Sequence, residues 1–205
     1  MIELRRDDGF WTATINRPEK ANSLTSVMLT ELADIAEDAQ DHAQVLAITG
    51  GGHKVFSAGA DLDEARNGLA TDPVWERLSS TLAQLDLLTI AALNGTLAGG
   101  AFGMALACDL RVAVPTAEFF YPVAKLGLLP QPSDPQRLRN LVGPARARLI
   151  LMAGARLSAE EAWQFGLVDR IVAADELPLA VQALAGPALS AKPGHISKIK
   201  AMTRS

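Results

Sequence analysis

The stretch from Leu93 to Asp109, Leu-Asn-Gly-Thr-Leu-Ala-Gly-Gly-Ala-Phe-Gly-Met-Ala-Leu-Ala-Cys-Asp, constrains this chain more than any other. It starts at the end of an apolar strand running from Thr89 to Leu93. Asn94-Gly95 reads as a turn, since both residues tolerate positive φ. Gly99-Gly100 then leads into Ala101 to Ala107, a run with no charged side chain. A helix that is apolar on every face must be buried. A glycine-flanked helix start is therefore expected at the end of a core strand. The first amides of a helix lack internal partners, and the helix dipole adds positive potential there. With no side chains at Gly99 and Gly100, a ligand oxygen can come close. Such a site suits a developing oxyanion.

The surrounding 205 residues are enough for one domain with a sizeable core. A net charge of −4 gives no global case for nucleic acid. No apolar run reaches membrane-spanning length, and Met1 to Asp8 carries no signal-peptide core, so a cytoplasmic, membrane-free protein is expected. The single cysteine, Cys108, excludes a disulfide framework. Residues 1–190 read as one domain and 191–205 as a short basic tail.

Alternation predicts strands at Ile2 to Arg6 and Phe10 to Ile15, joined by a turn at Asp7-Asp8-Gly9. Met28, Leu32, Ile35, Ala36 and Ala39 share one face of a helix over about 25–39. Val45 to Thr49 reads as a strand covered on both faces. Residues 50–61 form a glycine-rich loop entering a short helix at Leu62. A loop at 70–74 precedes a helix over Trp75 to Leu88. Asp109 to Val114 alternates as a strand, and Glu118 to Tyr121 reads as a short one. Pro122 to Pro135, with four prolines, reads as mostly irregular. Helices are expected over 136–142, 145–153 and 158–165, the last opened by the capping box Ser158-Ala-Glu-Glu161 and stopped by Gly166. A strand at Val168 to Val172 and a helix capped by Asp175 and running to about Leu189 complete the chain. Strands alternating with helices argue for an α/β or mixed α+β domain. From Leu177 onward there is no Asp or Glu, while Lys192, Lys198, Lys200 and Arg204 stand there. That end reads as a solvated, fraying segment or as a contact for a phosphate or acidic partner.

Known catalytic patterns are mostly absent. No segment fits G-x-G-x-x-G or the phosphate loop. Phe56-Ser-Ala-Gly59 lacks the glycine that a hydrolase elbow needs two before its serine. One cysteine and three histidines make no zinc signature, so no metal is expected. Of the histidines, only His53 lies near a candidate turn, and it reads as a base or as a surface residue. Two small-residue turns entering helices remain, Ser57-Ala-Gly-Ala-Asp-Leu62 and Ala98-Gly-Gly-Ala101. Each alone is explained by close strand–helix packing. Together they can offer two backbone N–H groups to one carbonyl oxygen.

Five segments in order resemble the crotonase superfamily, the enoyl-CoA hydratase/isomerase family. They are Asn16 to Leu24 (Asn-Arg-Pro-Glu-Lys-Ala-Asn-Ser-Leu), Phe56 to Leu62, Asn94-Gly-x-x-x-Gly-Gly100, Cys108-Asp-Leu-Arg-Val-Ala113 and Glu161-Ala-x-x-x-Gly-Leu-Val168. The resemblance implies a spiral of stacked ββα turns with a helical C-terminal part, assembled as trimers or pairs of trimers. It implies acyl-CoA thioesters as substrates, with no cofactor beyond the coenzyme A that they carry. It places the oxyanion amides at Ala60 and Gly100. Ala58, Asp61 and Leu62 would line the coenzyme, and Arg17 and Lys20 would lie near its phosphates, or equally stand in a solvated loop.

The departures from that pattern are specific. Hydratases of the family carry a glutamate three residues past the second oxyanion glycine, where this chain has Gly103. Their second glutamate follows a proline, and here Pro122 is followed by Val123. The carboxylate position of several isomerases is Gln131. Adding water to a double bond needs both a base and an acid. An acyl-CoA enzyme that stabilises an enolate but hydrates poorly is therefore expected. The alternative is a catalytically weak acyl-CoA binder or scaffold subunit. Asp134 is the nearest substitute acid, with Glu64 and Tyr121 also in view; each also reads as a cap, a surface charge or a core aromatic. The resemblance also implies further C-terminal helices beyond the point where this sequence stops.

Overall fold

The computed structural model describes residues 1–203. A hairpin of β1 (Ile2–Asp7) and β2 (Phe10–Ile15) opens the chain. Its turn sits at Asp8 and Gly9, both at positive φ. Helix α1 (Ser26–His42) follows, and the Thr25 side chain accepts from the Met28 amide at its start. Met28, Leu32, Ala36 and Ala39 are buried, while Ile35 is only half-buried; Leu29 and Ala33 widen the buried face.

From here the chain repeats one unit. Strand β3 (Val45–Gly50) is followed by β4 (Val55–Ser57) and helix α2 (Leu62–Arg66). After α3 (Val74–Gln84) come β5 (Leu88–Leu93), β6 (Thr96–Ala98) and α4 (Ala101–Ala107). Then come β7 (Leu110–Ala113), β8 (Glu118–Phe120) and α5 (Val123–Leu126). The first strand of each unit joins one sheet and the second joins another. The chain continues through α6 (Asp134–Val142), α7 (Pro144–Leu151), β9 (Leu157–Ser158), α8 (Ala159–Gln164), β10 (Arg170–Ile171), α9 (Leu177–Leu189) and α10 (His195–Thr203). The larger sheet has order β1-β2-β3-β5-β7-β10, and the smaller has β4-β6-β8-β9. Successive β3, β5 and β7 pair in parallel, as do β4, β6 and β8. The result is a spiral of ββα turns with helices over its C-terminal part, the expected mixed α/β class.

Every residue of α4 is buried, and the helix packs against α3 and α6. The capping box of α8 forms as expected, with Ser158 and Glu161 bonded in both directions. Several expectations need correction. Asn94 and Gly95 do not take positive φ. Gly95 is needed for space instead: a Cβ there would stand 2.2 Å from the Lys54 backbone, where two strands cross between sheets. The glycine-rich loop contains β4, and the Leu93–Gly99 segment contains β6. Both are three-residue strands, too short to show a period. The helix at Trp75 ends at Gln84, because Leu88 already pairs in β5. The proline-rich segment holds α5 and the start of α6. Asp175 does not cap α9, whose N-cap is Glu176 with no side-chain bond.

The basic end is not a bare tail. Residues His195–Thr203 are helical, and Lys200 Nζ donates to Leu87 O at 3.0 Å and to Asp109 Oδ2 at 2.7 Å. That carboxylate also accepts from the Thr89 amide and hydroxyl, so the helix is pinned to the starts of β5 and β7. Lys192 and Lys198 are exposed, and Arg204 lies outside the described residues.

Candidate active site

The parallel pairing of β4 with β6 sets Val55 beside Thr96 and Ser57 beside Leu97. Both strands therefore end at the same level, and each is followed by a tight turn into a helix. Gly59 and Gly99 take φ of +91° and +59°, which glycine adopts at little cost. The two turns touch: a Cβ on Gly59 would lie 3.2 Å from the Gly100 nitrogen and 3.0 Å from the Ala98 oxygen. A bridge between Leu24 and Ala60 holds the first turn, with Leu24 N–H donating to Gly59 O and Asp61 N–H to Leu24 O. That pattern leaves the Ala60 amide outside the ladder. Among the described residues, neither the Ala60 nor the Gly100 N–H has a hydrogen-bond acceptor. Unpaired backbone donors in a folded core are rare.

Ala60 and Gly100 line one cavity of about 190 Å³. Trp75, Ala98 and Phe120 form part of its wall, with Ala58, Leu62, Leu126 and Leu129 around it. Leu62, Leu126 and Leu129 are exposed, so its mouth is apolar. The Trp75 ring lies against Gly100, and its indole N–H donates to Leu69 O. The lining contains one titratable side chain, Tyr121. Larger hollows elsewhere, such as one of about 590 Å³ between β1 to β3 and α9, include no residue of either turn.

Asp134 is fully buried and is not part of this lining. Its Oδ2 accepts from the Tyr121 hydroxyl at 2.9 Å, and the Gln131 backbone N–H donates to the same hydroxyl at 3.3 Å. Its Oδ1 has no hydrogen-bond partner among the described residues. Arg137 stands 4.0 Å away. Burial pushes the Asp134 carboxyl up to about 7, against the lowering pull of the Tyr121 hydroxyl and Arg137. Burial and the neighbouring carboxylate also push the Tyr121 phenol up. Glu76 on α3 closes the network: it takes hydrogen bonds from Ser80, Ser133 and the Ser133 amide, which outweigh its burial and hold it low.

A carboxyl raised in the fold favours its protonated form. Its stability cost is absent below the unfolded value near 4 and grows as pH rises toward 7. We therefore expect Asp134→Asn to raise the melting temperature at pH 8, by up to a few kcal/mol in stability. The gain should shrink as pH falls toward 4; a gain independent of pH would contradict it.

The other expected residues are distributed unevenly. Ala58 and Leu62 line the cavity mouth. Asp61 instead caps α2 and pairs with Arg17 at 2.7 Å, and the Arg17 hydrogen bond holds its carboxyl below the usual range. Lys20 is exposed in a short 3-10 turn, Pro18–Lys20. His53 is exposed and outside the cavity lining. Burial pushes the Cys108 thiol up to about 12, as for a core thiol. Glu64 accepts from the Ser26 amide at the start of α1. Val123 and Gln131 do line the cavity. Trp75 and Leu129 carried no motif, so only their place in space reveals them. Asn22 was also missed as a scaffold: buried, at φ +51°, it donates to Gly51 O and Val55 O and accepts from the Arg17 amide. Among the described residues there is no cluster of three or more metal-ligating side chains, and no helix is long and apolar enough to cross a membrane.

Residues 5–205 match the family model described as enoyl-CoA hydratase/isomerase. The putative enoyl-CoA hydratase/isomerase YngF of Bacillus subtilis is 39% identical over 185 residues, covering 83% of this chain and 71% of that one. The carnitinyl-CoA dehydratase of Salmonella typhi is 36% identical over 209 residues, covering 99% and 80%. Among solved structures, the enoyl-CoA hydratase from Bacillus anthracis superposes with a TM-score of 0.89 at 32% identity, covering 98% of this chain and 81% of its own.

Proposed function

The chain belongs to the enoyl-CoA hydratase/isomerase family, an enzyme superfamily of lyases and isomerases, and we propose that it processes acyl-CoA thioesters by stabilising an enolate at the Ala60 and Gly100 amides. The observation that carries this is the pair of abutting turns, which leaves two N–H groups without acceptors in one cavity. Charge that develops on a thioester oxygen there meets preorganised donors among mostly apolar side chains, where each counts for more than in bulk solvent. The apolar mouth at Leu62, Leu126 and Leu129 suits the uncharged arm of the coenzyme.

Efficient hydration is not part of this reading. The lining offers Val123 and Gln131 where an acid–base pair would act, and Gly103 has no side chain. Losing positioned acid–base groups costs about 10²–10⁴-fold. Decarboxylation, whose enolate needs a single protonation, asks less, and isomerisation, with one proton removed and one returned, needs a substitute acid–base group. Arg17 is already paired with Asp61, so Lys20 is the freer cation for a coenzyme phosphate. Assembly into trimers or hexamers is part of the same reading and is tested by mass in solution.

The test is calorimetric binding of butyryl-CoA, followed by turnover of a panel of enoyl-, malonyl- and β-ketoacyl-CoA. Binding with turnover of at least one member, and crotonyl-CoA hydration about 10²-fold or more below a two-carboxylate hydratase, is expected. Absence of binding overturns the reading. Binding with no turnover leaves an acyl-CoA-binding protein.

A further inference from the structure

We propose that Tyr121 and Asp134 form a proton relay, in which the Tyr121 hydroxyl exchanges a proton with the α-carbon of the bound thioester and Asp134, behind it, stores that proton. This rests on the thioester reading of the cavity. Tyr121 is the one titratable side chain in the lining, and it shares that lining with the Ala60 and Gly100 amides. Asp134 has no opening of its own to the cavity. Its link to it is the 2.9 Å hydrogen bond from Tyr121.

The arrangement around Asp134 is otherwise hard to explain. A buried carboxyl whose Oδ1 accepts no hydrogen bond, with Arg137 no nearer than 4.0 Å, is costly to keep ionised and takes up a proton readily. It lies over Gly103: a Cβ at that position would stand 2.8 Å from Oδ1. The absence of a side chain at Gly103 is thus what lets the Asp134 carboxyl sit beside α4, one turn from the Gly100 amide. Phe102, also on α4, stacks on the Tyr121 ring at 5.3 Å and fixes its plane. The Gln131 amide, donating to the hydroxyl oxygen, directs its proton toward Asp134. The charged groups facing the pair are Glu76 from α3 and Arg137 from α6; α4 presents none.

In the forward step the α C–H bond breaks, and its electron pair becomes the enolate, whose oxygen rests on the two amides. The proton goes to Tyr121 Oη. The original Tyr121 proton moves to Asp134 Oδ2, so the carboxylate becomes a carboxylic acid. The reverse step returns a proton to carbon and restores both groups. No other reactant is needed.

The experiment is exchange of the α-hydrogens of butyryl-CoA in deuterium oxide, read by mass spectrometry on the full chain. The native protein is expected to exchange, with a rate that rises with pH through about 7 and then levels, since the store must be ionised to accept. Tyr121→Phe and Asp134→Asn are each expected to slow exchange about 100-fold and to remove that pH dependence. Butyryl-CoA affinity should stay within about threefold, which separates the relay from a packing role. Exchange at the native rate in either variant overturns the relay but leaves the thioester reading standing. Binding without exchange in the native protein also overturns it. Failure of the native protein to bind overturns both.

Discussion

Replacing Gly100 by proline is expected to lower α-hydrogen exchange on butyryl-CoA by about 10²–10³-fold, because it deletes one of the two donors at the developing oxyanion. The fold should tolerate the change better than most prolines. Gly100 already sits at φ −60°, which proline's ring favours. Its N–H makes no hydrogen bond among the described residues, so none is lost. The position precedes α4, where proline fits a helix start. The steric costs are the Trp75 ring, 3.2 Å from a Cβ at this position, and the proline Cδ, which replaces the amide hydrogen beside the Gly59 turn. Gly100→Ala carries the same crowding by Trp75 and keeps the amide. It should therefore lose less than about tenfold. Equal losses in the two variants would mean that crowding by Trp75, and not the amide, sets the rate, and the oxyanion assignment of Gly100 would fall.

Arg111→Met is expected to produce the largest loss of stability, about 3–5 kcal/mol. The guanidinium is only 3% exposed and is fully used. Its Nε donates to Leu167 O at 2.9 Å, and its Nη1 donates to Cys108 O at 2.7 Å and to Ala105 O at 3.4 Å. Its Nη2 donates to Asp109 O at 3.2 Å and lies 3.3 Å from the Asp169 carboxylate. Ala105 is in the last turn of α4, whose carbonyls have no partners inside the helix. Arg111 satisfies that end and places positive charge where the helix dipole favours it. Methionine fills similar space but leaves several carbonyls dry, each costing about 1–3 kcal/mol. For a chain of this size the melting temperature should fall on the order of 10 °C. Arg111→Lys should recover only part, because one ammonium cannot span the fork. A fall below about 3 °C would show that the carbonyls find water or other partners. Since the far end of α4 begins at Gly100, the variant also tests how firmly the site helix is held.

Arg111 illustrates what alternation cannot reveal. The sequence places it on the face of its strand opposite Leu110 and Val112, which ordinarily means a solvated charge. Burial follows from the segment Leu167–Asp169 and the end of α4 closing around the guanidinium, and those partners lie up to 58 residues away. The basic end misled for the same reason. Local composition predicts a loose tail, but Lys200 finds Asp109 across 91 residues. β4 and β6 were invisible because three residues carry no period. They exist through pairing with each other, not through propensity.

The sequence by itself determined the apolar strand that ends at Leu93, the buried α4, the capping box of α8 and the mixed α/β class. These features rest on local rules: apolar periodicity, glycine at special turns, and caps within one turn of helix. The family resemblance pointed to Ala60 and Gly100 as the donors, and the sequence itself shows that Gly103, Val123 and Gln131 carry no acid. Only the tertiary structure decided that the turns at Gly59 and Gly99 abut, because that depends on the register of β4 against β6. Only it decided that Arg17 spends its charge on Asp61, and that Asp134 sits behind Tyr121 and over Gly103. A buried carboxyl's proton affinity is set by what surrounds it in space, and the neighbours of Asp134 come from α3, α4 and the segment after β8.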